Sequence, residues 1–163
     1  MSQELRSFLD IPDKTLTIEE YRGWIVEAEK TICDQHETVD RHASIAAGFE
    51  LEQAVTPGLY TRILTMTAGS LVFSKIHMKT HPFVILKGKV SVYDGDKIEL
   101  FEAPYHGVTP AGTKRVLYVH EETQWATFHP TELDELEEID ENGIITCDTF
   151  DEFEELSKLE VVV

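Results

Sequence analysis

At 163 residues, of which 42% are hydrophobic, the chain is sized for one compact core and is too apolar for a disordered polymer. Its 31 Asp and Glu against 14 Lys and Arg give a formal charge of −17, and a surface that acidic repels phosphate backbones, which disfavours a nucleic-acid partner. No apolar run reaches the roughly 18 residues of a membrane span, and the start, MSQELRSFLD, lacks the apolar core of a signal peptide. Two distant cysteines, Cys33 and Cys147, make no disulfide framework, so the expectation is a cytoplasmic protein with no membrane partner.

Residues 1–13 show no clear period and read as an arm. Thr17 and Glu20 form a capping-box pair, and Ile18, Tyr21, Ile25, Ala28 and Ile32 follow at helical spacing, predicting a helix over 17–34. Residues 35–54 are ambiguous, a second short helix and a loop being one reading. Val55-Thr56-Pro57-Gly58 is a turn signal that closes an N-terminal region of arm and helix, residues 1–54.

From Leu59 the pattern changes to short strands, expected at 59–66, 70–77, 83–93, 97–103, 115–120 and 124–129. Asp94-Gly95 between VSVY and KIELF is a strong hairpin signal. Six short strands over residues 55–130 predict a mainly β fold, a small antiparallel barrel or sandwich. Residues 132–163 then carry 13 acidic side chains and one lysine, interrupted by Leu133, Leu136, Ile139, Phe150, Phe153 and Leu156. That spacing predicts, within residues 131–163, two short amphipathic helices around Asn142-Gly143, packed on the barrel as one compact unit.

Five of the seven histidines, His77, His81, His106, His120 and His129, fall in the β region. Gly69, Lys75, His77, His81 and Gly88 have the spacing of the first cupin motif, and Pro110-Ala111-Gly112-Thr113-Lys114-Arg115 resembles the second. Over about residues 55–130 the chain therefore resembles the cupin superfamily. The stretches TPGLYTRIL, KIHMKTHPFVILKGKVSVYDG and TFHPT are similar, more narrowly, to cupin-like proteins of phages and prophages. The resemblance implies a jelly-roll barrel, a site in its mouth and a homodimer or larger homo-oligomer. It is not specific for chemistry, because that fold hosts many functions.

In the family's pattern the motif positions hold metal ligands. Here two of the four are Lys75 and Arg115, cations that do not ligate a metal while protonated. Placed in the mouth with His77 and His81, they would form a cationic pocket for a small anion: a nucleotide, phosphorylated sugar or carboxylate, gripped by arginine in bidentate fashion. Tyr60, Arg62 and Trp125 are candidate further walls. Lys114 alternates to the opposite face and is expected to be dispensable.

The alternative is a metal-dependent enzyme of oxygenase or isomerase class. Its ligands would be His77, His81 and His129, less readily His106, around Zn, Fe, Mn or Ni. A third reading is a structural or assembly role. There is no phosphate-binding glycine loop, dinucleotide fingerprint or serine nucleophile elbow, and binding without turnover is the leading expectation. His36, His42 and His120 receive no role, and the Cys33–His36 spacing lacks a second ligand pair.

Overall fold

A computed structural model of the protein describes residues 3–35, 49–136 and 145–160. Among the described residues three helices flank the sheets: α1 (Gln3–Phe8), α2 (Ile18–Gln35) and α3 (Phe150–Glu160). Nine strands lie between or beside them: β1 (Glu50–Thr56), β2 (Leu59–Met66), β3 (Leu71–Phe73), β4 (Ile76–His77), β5 (His81–Tyr93), β6 (Ile98–Glu102), β7 (Tyr105–Thr109), β8 (Val116–Pro130) and β9 (Thr146–Cys147). All pairings are antiparallel. The main sheet runs β1-β2-β8-β5-β6, with β3 also on β8 and β7 also on β5, while β4 and β9 form a separate pair. Among the described residues the hydrogen-bonded order stays open and does not close into a continuous ring.

The expected class, mainly β with helices at both ends, is the observed one. The helix expected at 17–34 is α2, its first turn closed by Thr17 Oγ1 accepting from the Glu20 amide and Glu20 accepting from the Thr17 amide. Thr149 and Glu152 close α3 in the same way. Four details differ. Residues 1–13 contain α1, held because Leu5, Leu9 and Ile11 are buried beneath α2. The ambiguous stretch before Val55 ends in β1, the outer arm of the hairpin that turns at Pro57-Gly58. The expected strand 70–77 breaks into β3 and β4. The expected pair 115–120 and 124–129 is one long strand, β8, because Thr123 is fully buried and its hydroxyl joins Glu121 O to the Lys89 amide. The first of the two expected acidic helices falls largely on residues 137–144, outside the described residues.

Two apolar layers share the sheet. Met66, Phe83, Ile85, Val90, Val92, Phe101, Leu117 and Val119 fill one face. Tyr93 and Val116 carry the other, against Leu5, Tyr21 and Ile25 of the helices. The inward set on β5 switches from odd to even numbers between Ile85 and Val90, where pairing to β8 shifts register around Gly88. Gly88 sits at φ 95°, and a Cβ there would stand 2.3 Å from Glu122 O. Only glycine fits, and the bulge it permits sends His81, Phe83 and Ile85 inward at one end of β5 and Val90 and Val92 inward at the other.

Candidate functional site

Strand register places the site. Tyr60 pairs with His129, Arg62 with Thr127 and Phe83 with Thr127, while His81 pairs with Thr109. Because cross-strand partners share a face, the starts of β2 and β5 and the ends of β7 and β8 deliver Tyr60, Arg62, His81, Thr109, Thr127 and His129 to one end of the inner layer. His77 arrives from β4, which is anchored by β9 (His77 opposite Thr146) and by its own amide and carbonyl, bonded to Thr113 O and the Gly112 amide. Arg115 precedes β8 with the alternation of Leu117 and Val119, so it also points inward.

Three imidazoles meet there. The ring centroids of His81 and His129 are 4.3 Å apart, those of His77 and His81 4.6 Å, and those of His77 and His129 6.4 Å. Tyr60 stacks on His129 at 5.7 Å, and its hydroxyl lies 3.0 Å from Gln53 Oε1. His81, 1% exposed, has Nδ1 3.0 Å from Lys79 O. A carbonyl only accepts, so Nδ1 carries the proton and Nε2 presents a lone pair. That Nε2 is buried without a partner, as is His77 Nδ1. Burial first, then the neighbouring imidazoles, push His77 down to about 3. Burial, His81 and Arg62 push His129 down to about 3. His81 is lowered by burial, and by the charge of Arg115. The cluster is neutral at physiological pH.

Arg115 is the buried charge in this site. It is 9% exposed, donates from Nη1 to Thr109 Oγ1 at 3.1 Å, and lies 5.6 Å from the centre of the Phe83 ring. Its Nε is buried without a partner, and among the described residues no carboxylate pairs with it. Burial lowers its pKa from the usual arginine value. An arginine taken out of water with no counter-ion is costly, and this one is held in place by Thr109 and by Ser74, whose hydroxyl accepts from the Arg115 amide.

The expected set is thus brought together in part. His77, His81, His129 and Arg115 converge; Tyr60 touches the cluster and Arg62 stands near it. Trp125 packs beneath, stacked on Phe83 at 4.7 Å, as part of the apolar layer. Lys75 does not join them. It is exposed, and its Nζ lies 3.5 Å from Asp148 Oδ1, because the chain between β3 and β4 turns that side chain toward the acidic C-terminal segment. His106 is exposed on the opposite face, and His120 bonds Ser91 Oγ. Lys114 does face away from Arg115, but it is buried and paired with Glu29. Thr109 and Phe83 went unnoticed in the sequence; the alternation from His81 to Phe83, and Thr109 beside the motif proline, were the available signals.

The histidines do not fit a metal ion as they stand. Two ring nitrogens are unpartnered, but His129 Nε2 lies 2.9 Å from Thr127 Oγ1, the rings pack against one another, and no carboxylate among the described residues joins them. Among the described residues no group of three or more His, Cys, Asp or Glu has the arrangement to hold a metal.

No known family model matches the chain, and no curated protein matches it. Solved structures similar in fold include a cupin superfamily protein from Desulfitobacterium hafniense (10% identity, 50% of this chain and 77% of that one, TM-score 0.42). A cupin-2 domain containing protein from Shewanella frigidimarina shares 14% identity over 61% of this chain and 92% of its own, with a TM-score of 0.43. An acetylacetone dioxygenase from Acinetobacter johnsonii shares 22% identity over 51% of this chain and 60% of its own, with a TM-score of 0.44. Among the described residues no helix is long and apolar enough to cross a membrane.

Proposed function

We propose that this is a cupin-like protein of phage type that holds a small anionic molecule at Arg115, sequestering or sensing it without transforming it. The observation that carries the reading is the buried Arg115 guanidinium, which has an unpartnered Nε and no carboxylate among the described residues. An anion there supplies the missing counter-charge and takes up the free donors. The neutral histidines beside it add no competing cation, and Lys75, bound to Asp148, contributes none.

The test is calorimetric titration of the protein with inorganic phosphate and with propanoate, alongside native mass spectrometry for a co-purifying anion. Arg115→Gln removes a desolvated charge contact, with an expected cost of about 2–5 kcal/mol, roughly 30-fold or more in affinity. Equal binding by wild type and Arg115→Gln would refute the reading.

A divalent-metal enzyme built on His77, His81 and His129 is the competing reading, favoured by the two unpartnered ring nitrogens. Elemental analysis of untagged protein separates the two, because stoichiometric Zn, Fe, Mn or Ni selects the metal reading. The proposal extends to a homodimer or larger homo-oligomer. In its support, Leu86 and Val108 stand 52% and 59% exposed on the outer face of β5 and β7. A monomer mass by light scattering at micromolar concentrations would contradict it.

A further inference from the structure

We propose that the anion at Arg115 is a hydroxy-carboxylate: a monocarboxylate with a hydroxyl one or two carbons away, the carboxylate on Arg115 and the hydroxyl on His81 Nε2. This narrows the reading above and rests on it.

The donors of Arg115 limit the anion. Nη1 is committed to Thr109 Oγ1, leaving the side edge, Nε and Nη2, as the face on which two parallel N–H groups meet a partner. Two parallel donors match the two oxygens of a carboxylate. One guanidinium also balances one negative charge. A phosphate dianion asks for a second cation; Lys75 is turned toward Asp148, and the half-buried Arg62 acts on His129 whereas Arg115 acts on His77 and His81.

The second half of the ligand is set by His81. Its Nδ1 proton is fixed by Lys79 O, so Nε2 is an acceptor, buried and unpartnered in a side chain 1% exposed. A buried acceptor left empty is costly, so the molecule that fills this site brings a donor. Carboxylate and dianionic phosphate have none to offer. An ammonium would donate but would sit beside the Arg115 charge, whereas a hydroxyl donates without adding charge. Position agrees: Thr109, which holds Arg115, is the cross-strand partner of His81, so the two recognition groups share a neighbour. The His77 and His129 rings pack against His81 and fix its orientation.

The experiment titrates the intact protein, by calorimetry or by imidazole NMR signals, with propanoate, 2-hydroxypropanoate, 3-hydroxypropanoate, 2-aminopropanoate and inorganic phosphate. We expect one of the two hydroxy acids to bind at least tenfold more tightly than propanoate and phosphate. His81→Asn keeps an amide donor for Lys79 O and deletes the Nε2 acceptor; it should remove the advantage of the hydroxy acid over propanoate. His81→Gln, whose amide oxygen reaches toward the lost position, should restore part of the difference. If propanoate binds through Arg115 and neither hydroxy acid binds more tightly, or 2-aminopropanoate matches them, the hydroxy-carboxylate assignment falls and anion binding stands. If no anion binds in an Arg115-dependent way, both fall. Equal loss of propanoate and hydroxy acid in His81→Asn would mean that His81 is merely structural.

Discussion

Lys114 Nζ lies 3.0 Å from Glu29 Oε2, with the two side chains only 6% and 16% exposed. The pair ties α2 to the turn that carries Arg115, and it does not stand alone. Lys114 Nζ also donates to Ser74 O at 2.9 Å, and the Tyr21 hydroxyl donates to Lys114 O at 2.5 Å. Helix α2 is therefore latched to the backbone immediately before the site arginine.

Removing one partner of a buried pair strands the other charge. Lys114→Met should cost about 3 kcal/mol of stability, more than an exposed pair such as Lys14–Glu20 contributes. Replacing Glu29 and Lys114 together by apolar residues should cost less than Lys114→Met alone. Urea unfolding of the wild type and the two variants tests this. A loss below about 1 kcal/mol in the single variant would show that the pair is hydrated and carries little.

Gly88 offers a test of the fold. At φ 95°, any side chain is strained by the backbone alone, and its Cβ would also meet Glu122 O at 2.3 Å and Thr123 Cα at 2.7 Å. Because those atoms belong to the neighbouring strand, β8 would have to move. Gly88→Ala should cost about 3 kcal/mol or more and disturb the far end of β5, where His81 sits. Gly69→Ala, at a similar φ of 84° but with nothing within 4 Å of the added carbon, should cost less. Equal melting temperatures for the two variants would contradict the bulge argument.

These glycines show why much of the fold was legible in the sequence. Gly58, Gly69, Gly88, Gly95 and Gly112 all have positive φ, so each marks a turn or bulge whose spacing can be read before any coordinate is known. Period-2 alternation from His81 through Phe83 to Ile85 carried a signal of the same kind, although the expected strand began only at residue 83. What was not legible depends on tertiary neighbours. Lys75 and Arg115 occupy equivalent-looking motif positions, but only the acidic C-terminal segment, through Asp148, decides that Lys75 faces out. Alternation places Lys114 on the face opposite Arg115 but is silent about what covers that face, here α2. The break between β3 and β4, and the continuity of β8 through Glu121-Glu122-Thr123, are likewise set by the strands alongside.

The buried imidazoles give stability a pH dependence. His77 and His129 are held near 3 in the folded protein, chiefly by burial, against an ordinary value of 6.5. They face His81, Tyr60, Thr127, Arg62 and Arg115, and among the described residues no carboxylate pairs with them. Above pH 6.5 both are neutral in the folded and unfolded chain, so their contribution is fully present. As pH falls from 6.5 toward 3 the unfolded chain takes up protons that the folded chain refuses, and stability declines by about 1.4 kcal/mol per pH unit for each group. Between pH 7.5 and 5.5 the two together should cost about 2–3 kcal/mol, a window above the usual carboxylate range. Urea unfolding at the two pH values measures the loss, and a His77→Gln, His129→Gln double variant should flatten it. A wild-type stability that does not change over that window would show the cluster to be hydrated.

The last prediction sets stability against binding at Arg115. A buried guanidinium whose Nε has no partner, and which has no ion-pair partner among the described residues, only the more distant charges of Asp94 and Glu99, destabilises the folded protein in the absence of ligand. Its stabilising contacts are one hydrogen bond to Thr109 and the face of Phe83, worth about 1 kcal/mol or less each. Arg115→Met keeps much of the volume and removes the charge, so the ligand-free variant should be more stable than wild type by about 1 kcal/mol or more. The same substitution should abolish the response of the melting temperature to added anion, since a ligand that binds only the folded wild type raises its stability by mass action. This opposition of signs distinguishes a binding residue from a structural one. A structural arginine would destabilise the fold when replaced, and a solvated one would leave stability unchanged. Either result in Arg115→Met, measured by urea unfolding without added ligand, would remove the physical ground for placing an anion at this site.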